Sequence, residues 1–214
     1  MNPDGQGRRL EDFSWGCSGQ IDDLARMPRI VARAIPWLRI DRSRIYAFGT
    51  SMGGQETLLL VARHPSLLAG AAAFDPVTDM AQRYRDFARL SCTRRCLREW
   101  GGSIGRGLQG LAREEIGGTP WSDPQAYALR SPITYARAIA KSGVPLEVWW
   151  SRTDRVVESG DQSVRFVHAL GRLHPTASLD AYAGDWPHSA EMHPYYMLIP
   201  ALRKFGLFPA HSPA

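Results

Sequence analysis

Three cysteines in 214 residues, at positions 17, 92 and 96, are too few for the disulfide framework that holds small secreted scaffolds together. Lysine is scarcer still: Lys141 and Lys204 are the only two, so arginine carries nearly all the positive charge. No apolar run approaches the length needed to span a bilayer; residues 58–62 and 71–74 are among the longest. The chain does not open on a basic stretch followed by an apolar one, so no signal peptide is visible and the cytoplasm is the default compartment. The 20 glycines follow no three-residue period, which excludes a collagen-like chain. Lys plus Arg number 26 against 21 Asp plus Glu, a formal charge of +5. The arginines are spread along the chain, which argues against a nucleic-acid face, and no membrane partner is expected. With 44% hydrophobic and 22% charged residues the composition is that of a globular protein, and the length suits a single domain over residues 1–214.

The first 19 residues read as a polar, glycine-rich loop. Ile21, Leu24, Met27, Ile30, Val31, Ala34 and Leu38 then recur at helical spacing, which predicts an amphipathic helix from near Gln20. Asp22 and Asp23 in its first turn would suit the helix dipole, and Pro28 implies a kink or a later start. Residues 45–48 read as a short strand and 55–63 as an apolar helix. Residues 69–74, small and apolar throughout, read as a buried parallel strand. Residues 79–117, rich in arginine and then glycine, have the character of a helical, lid-like insertion. Helices are expected over 132–141, 163–173 and 194–205, and strands over 144–150 and 177–181. Strands alternating with helices after residue 40 make this an α/β protein with a mostly parallel sheet.

The motif that carries chemistry is Gly49-Thr50-Ser51-Met52-Gly53, a G-x-S-x-G sequence between a strand and a helix. A serine on so tight a turn sits in a strained backbone, which asks for neighbours without side chains. The following helix N-terminus aims its amides at the reacting centre, and the Met52 amide would be one oxyanion donor. A nucleophilic serine needs a base, and the base needs an orienting acid; in this context they follow in the order Ser, Asp, His. Asp154 lies just past the strand over 144–150, at the carboxyl end of the sheet where α/β sites form. Asp75, which ends the preceding strand, is its rival, whereas Asp161 is better placed as a helix N-cap. Of six histidines, His188 follows the last strand and lies on a loop. His193 is the second choice, and His64, His168, His174 and His211 have structural roles open to them.

Other motifs weigh less. Gly105-Arg106-Gly107-Leu108-Gln109-Gly110 has the G-x-G-x-x-G spacing but follows no strand, so no dinucleotide cofactor is expected. Cys92 and Cys96 have no further ligands at zinc spacing, so no metal is expected. Trp15, Trp121 and Trp186 fall in loops, where they either pack or line a substrate cleft.

Three stretches together resemble the catalytic domain of the prolyl oligopeptidase family of serine peptidases, with its α/β-hydrolase fold. The first is residues 41–54, around Ser51. The second combines Gly117-Gly118-Thr119-Pro120, Asp123-Pro124-Gln125-Ala126-Tyr127 and Ser131-Pro132-Ile133-Thr134-Tyr135-Ala136. The third is residues 151–157 with Gln162-Ser163 and, later, His188. The resemblance implies Ser51 as nucleophile, Asp154 as acid and His188 as base, acting through an acyl-enzyme on a small peptide or amino-acid amide. A carboxylesterase of the same fold is the alternative, and a catalytically impaired fragment acting as an interaction module is another. The family's β-propeller and the strands ahead of its nucleophile strand have no counterpart here. The expectation is therefore a sheet of about four strands with residues 45–48 at an open edge, covered by an upstream segment or a partner chain. These residues alone would then be poorly soluble or weakly active.

Overall fold

The computed structural model describes residues 13–90, 94, 104–188 and 198–207. Cys92, Cys96, His193, His211 and parts of the 79–117 segment lie outside them. In chain order the elements are α1 (Ser18–Ala34), β1 (Tyr46–Thr50), α2 (Met52–Arg63), β2 (Gly70–Phe74), α3 (Met80–Phe87), α4 (Ile104–Ile116), α5 (Pro124–Leu129), α6 (Ala136–Ala140), β3 (Leu146–Ser151), α7 (Arg165–Gly171), β4 (Leu179–Gly184) and α8 (Leu198–Lys204). The four strands form one parallel sheet in the order β1-β2-β3-β4. Thr50 pairs with Phe74, Phe74 with Trp149, and Ser151 with Gly184. Because every strand runs the same way, the residues that follow them gather at one end of the sheet. Among the described residues β1 has a neighbour only on its β2 side, and no helix is long and apolar enough to cross a membrane.

The alternation of side chains along the strands builds two cores. Ala71, Ala73, Leu146 and Val148 face one side, under Ile21 of α1, Leu58, Leu59 and Val61 of α2, Ile139 of α6 and Phe166 and Leu170 of α7. Ala72, Phe74 and Trp149 face the other, with Trp186 and Ala201 of α8. The alanines of β2 let the α2 backbone come close, which is why this all-apolar segment is wholly buried as a central strand. A third cluster joins Trp15, Met80, Tyr84, Phe87, Leu108, Ile116, Tyr127 and Val157, with Met52 packed against it. Its members Val157 and Met52 place α3 and α4, the described part of the 79–117 segment, beside the carboxyl end of the sheet.

Several local expectations are corrected. The α1 helix starts at Ser18, so Asp22 and Asp23 fall beyond its first turn. Asp22 bonds His64 Nε2 at 2.9 Å and Asp23 accepts from Arg26 at 2.9 Å, so side-chain pairing replaces the dipole as their role. Pro28 lies inside α1, which excludes the later start. Asp161 does not cap the helix near Gln162. The N-cap position is Ser159, and the carboxylate of Glu158 before it accepts from the amides of Gly160 at 3.1 Å and Asp161 at 2.7 Å, ahead of a π turn over Gly160–Val164. The expected helix over 132–141 divides into a 3-10 turn, Pro132–Tyr135, and α6. The G-x-G-x-x-G sequence lies within α4, not in a phosphate-binding loop. A Cβ on Gly105 would stand 1.9 Å from the Phe87 carbonyl oxygen, so this glycine serves the packing of α4 on α3.

Candidate active site

Strand β1 runs directly into Ser51, and α2 begins at the next residue, three positions before the apolar pattern predicted it. Ser51 has φ 55° and ψ −118°, a region that non-glycine residues rarely enter, at a cost of about 1–3 kcal/mol. The surrounding backbone holds it there. Its amide donates to the Phe74 carbonyl at 2.8 Å, and its carbonyl accepts from Gln55 at 3.1 Å and Val77 at 3.3 Å. The two flanking glycines differ. A Cβ on Gly49 would come within 2.2 Å of the Gly53 carbonyl oxygen, so Gly49 is sterically required. A Cβ on Gly53 would meet nothing within 4 Å, which corrects the expectation that both neighbours must lack side chains. The reason is position: Gly53 lines the hollow beside the unpaired side of β1. Met52 opens α2, so its amide is one of the first-turn donors that no helical carbonyl consumes. Its sulfur accepts a weak bond from the Trp15 amide at 3.4 Å.

Asp154 lies on the loop after β3, its side chain fully buried. Oδ1 accepts from the amides of Val156 at 2.7 Å and Val157 at 3.1 Å, while Oδ2 lies 2.7 Å from Nδ1 of His188. A carboxylate only accepts, so Nδ1 carries the proton and Nε2 of His188 keeps its lone pair. His188 retains 18% of its side-chain exposure, enough to be reached from solvent. Arg83 of α3 donates to the Val156 carbonyl and so ties the acid loop to the helical segment above it. Burial pushes its guanidinium down to about 10, opposed by the negative charges of Asp86 and Asp154.

Asp75 makes different bonds. It is buried, with φ 39°, and its Oδ1 accepts from the Ser151 amide at 2.7 Å while Oδ2 accepts from Nε1 of Trp186 at 3.0 Å. Donor atoms of Asp75, Asp154 and His188 lie within 4.8 Å of one another. All four carboxylate oxygens already accept N–H donors, so the cluster does not fit a cation. The Ser51 amide bonds to the carbonyl of Phe74, the residue before Asp75, so the Ser51 turn lies at the same end of the sheet as the cluster. The Asp154–His188 link is closed as a hydrogen bond; Ser51 Oγ and His188 are not hydrogen-bonded in this structure.

His64 pairs with Asp22, His168 lies on α7, and His174 follows that helix at φ 51°. Trp15 and Trp186 are buried in cores, whereas Trp121 is 70% exposed and meets Tyr84 edge-on. A hollow of about 370 Å³ opens beside His188, lined by Thr153, Arg155, Val156, Asp185, Trp186 and Pro187. Sequence reasoning missed Arg83 and the bonding role of Trp186. The only available signal was the position of Trp186 two residues before His188.

No curated protein gives a significant sequence match. Among solved structures, the chain is similar to Pyrococcus horikoshii acylaminoacyl peptidase, with 20% identity and a TM-score of 0.66 over 90% of this chain and 28% of that one. It is similar to puromycin hydrolase, with 19% identity and a TM-score of 0.61 over 93% and 27% of the two chains. It is also similar to Porphyromonas gingivalis dipeptidyl peptidase 4, with 19% identity and a TM-score of 0.57 over 88% and 22%. The chain thus spans less than a third of the length of each, and the likeness is one of fold: the parallel sheet with flanking helices of the α/β-hydrolase peptidases. Residues 19–102, which include the nucleophile motif, match the model of the prolyl oligopeptidase family. The resemblance of this chain to the prolyl oligopeptidase family rests on that match and on the α/β-hydrolase fold.

Proposed function

We propose that this chain is part of a serine hydrolase catalytic domain that cleaves peptide or amino-acid amide bonds, with 79–117 as a lid-like insertion. The observation that carries the reading is the 2.7 Å bond between His188 Nδ1 and the buried Asp154, at the end of the sheet where Ser51 stands on its strained turn. Nε2 of His188 takes the Ser51 proton as Oγ bonds to the substrate carbonyl carbon. The Met52 amide faces the oxyanion that forms. When the C–N bond breaks, His188 returns that proton to the departing amine, leaving the acyl group on Ser51. Water then loses a proton to His188 as it attacks the ester carbonyl carbon; when the C–Oγ bond breaks, His188 returns that proton to Ser51 Oγ and the acid leaves. Asp154 keeps the imidazole in the required tautomer throughout.

Similarity to peptidases supports amide cleavage over ester cleavage. The test is labelling with a fluorophosphonate, followed by turnover of aminoacyl p-nitroanilides beside p-nitrophenyl esters. Labelling is expected at Ser51, and Ser51→Ala should abolish it and lower turnover on the order of 10⁶-fold, by analogy with serine proteases. Labelling that survives the substitution sinks the assignment, and ester turnover with no amide turnover gives the esterase.

The same proposal includes a cover for β1, from an upstream segment or a partner chain. Three features among the described residues support it: the side of β1 that has no partner strand there, the apolar hollow of about 600 Å³ beside it, lined by Leu24, Met27, Val31, Ile45 and Phe48, and the space over Gly53. An exposed strand edge is an aggregation hazard unless covered. Full activity is therefore expected only with the covering strand present.

A further inference from the structure

We infer that Asp75 is a positioning residue: through the indole of Trp186 it fixes the loop that carries His188, an inference that rests on the proposed role of His188. Trp186 is 6% exposed and lies two residues before the base. Its Nε1–H donates to Asp75 Oδ2 at 3.0 Å, and its amide donates to Ser151 Oγ at 3.0 Å. Its carbonyl accepts from the hydroxyls of Ser151 at 2.7 Å and Thr153 at 3.2 Å. The ring lies so close over Gly184 that a Cβ there would stand 1.9 Å from it. Trp186 thus has one backbone and ring position, and Pro187, with its fixed φ, passes that position on to His188.

The chemistry of Asp75 matches this task. Both of its oxygens face N–H donors, the Ser151 amide at 2.7 Å and the indole at 3.0 Å, so two acceptors are required. Asparagine offers one acceptor and one donor, and a donor facing either N–H is repulsive. Asp75 is also held at φ 39°, its amide bonded to the Trp149 carbonyl at 2.8 Å, so β2 and β3 together aim the carboxylate. One side chain thereby joins the ends of β2 and β3 to the loop after β4. Strained residues of this kind collect at functional sites.

The experiment is a double-mutant cycle on the full chain, read by the rate at which a fluorophosphonate labels Ser51, with the concentration dependence separating probe binding from the bond-forming step. Asp75→Asn is expected to slow the bond-forming step about 10-fold or more while half-saturation stays put. Trp186→Phe, which puts a smaller aromatic ring in place of the indole and removes the donor, slows it about 3-fold. Adding Asp75→Asn to Trp186→Phe then costs less than about 2-fold, because the opposed donor is gone. If Asp75→Asn alone fails to fold, the comparison within the Trp186→Phe background decides the matter. A further 10-fold loss there overturns the inference, as does an Asp75→Asn chain that labels at the wild-type rate. Wild-type chain that does not label at Ser51 overturns the proposed function instead. The Nε1 proton resonance of Trp186, expected to move upfield in Asp75→Asn, then reads the contact by itself, and an unmoved resonance refutes it.

Discussion

Asp154→Asn isolates the tautomer of His188 from the rest of the site. In the structure Oδ1 of Asp154 accepts two amide protons, from Val156 at 2.7 Å and Val157 at 3.1 Å, and Oδ2 faces Nδ1 of His188 at 2.7 Å. An asparagine side chain has only one oxygen. Facing the two amides, that oxygen keeps two bonds and sends its NH₂ group towards His188. Turned the other way, it sets an NH₂ group against two N–H donors in a fully buried place, which costs at least one lost bond and a clash of like dipoles. The first orientation wins. His188 must then accept at Nδ1 and carry its proton on Nε2, the nitrogen that should take the proton of Ser51. The fold loses little, since every amide bond is kept, but the proposed base is silenced. The expected fall in turnover is about 10⁴, the loss seen for this substitution in a serine protease triad, or about 5.5 kcal/mol at 1.36 kcal/mol per decade. The assay is single-turnover acylation by an aminoacyl p-nitroanilide or ester, with imidazole nitrogen shifts read by NMR. A variant that keeps more than about a tenth of wild-type acylation, or whose His188 still carries its proton on Nδ1, refutes the reasoning.

Two further predictions use other parts of the molecule. Gly49→Ala places a methyl group 2.2 Å from the Gly53 carbonyl and should lower stability by about 1–3 kcal/mol, whereas Gly53→Ala meets open space in a helix and should be neutral or slightly stabilising; thermal melts that reverse this order contradict the geometry. Burial raises the carboxyl of Glu147 above its ordinary range, with the Trp149 indole N–H and Lys204 opposing and Asp180 adding to the rise. The folded state therefore binds this proton more readily than the unfolded chain, and the ionised group costs stability at high pH. Glu147→Gln, which can still accept from Trp149, should raise the melting temperature at neutral pH, and the gain should shrink as pH falls through the raised value. A gain unchanged by acidification would show that charge is not its cause.

The parts of the fold legible in the sequence were those set by local rules. A run of small apolar residues ending at Asp75 could hardly be other than a buried strand, and a serine between glycines at a strand end announced its turn. Asp154 and His188 were drawn from chain order, and the structure joins them by a hydrogen bond. The short α5 helix escaped because its apolar pattern is too brief; Asp123, which caps it by accepting from Ala126 at 3.0 Å, and Pro124 at its first position were its signals. Gly53 was assigned a steric duty that belongs to Gly49, because a motif shows which residues are small and not what stands beside them. Asp75 was weighed only as a rival acid. Its bonds to Ser151 and Trp186 join residues 76 and 111 positions away, and no spacing rule reaches that far.

The parallel order β1-β2-β3-β4 also has a temporal side. A chain synthesised from its amino terminus, at about 5–20 residues per second, presents its strands in the order in which they stand in the sheet. Under the proposed mechanism the nucleophile turn emerges first, the acid loop much later, and the base only after the outermost strand. Until β4 has docked on β3 the loop that carries His188 is not anchored at the end of the sheet where Ser51 stands, and an unassisted serine hydroxyl is a poor nucleophile. On that reading the nascent chain is chemically inert while its own peptide bonds are still exposed, and its proposed triad is brought together only after β4 has taken its place in the sheet.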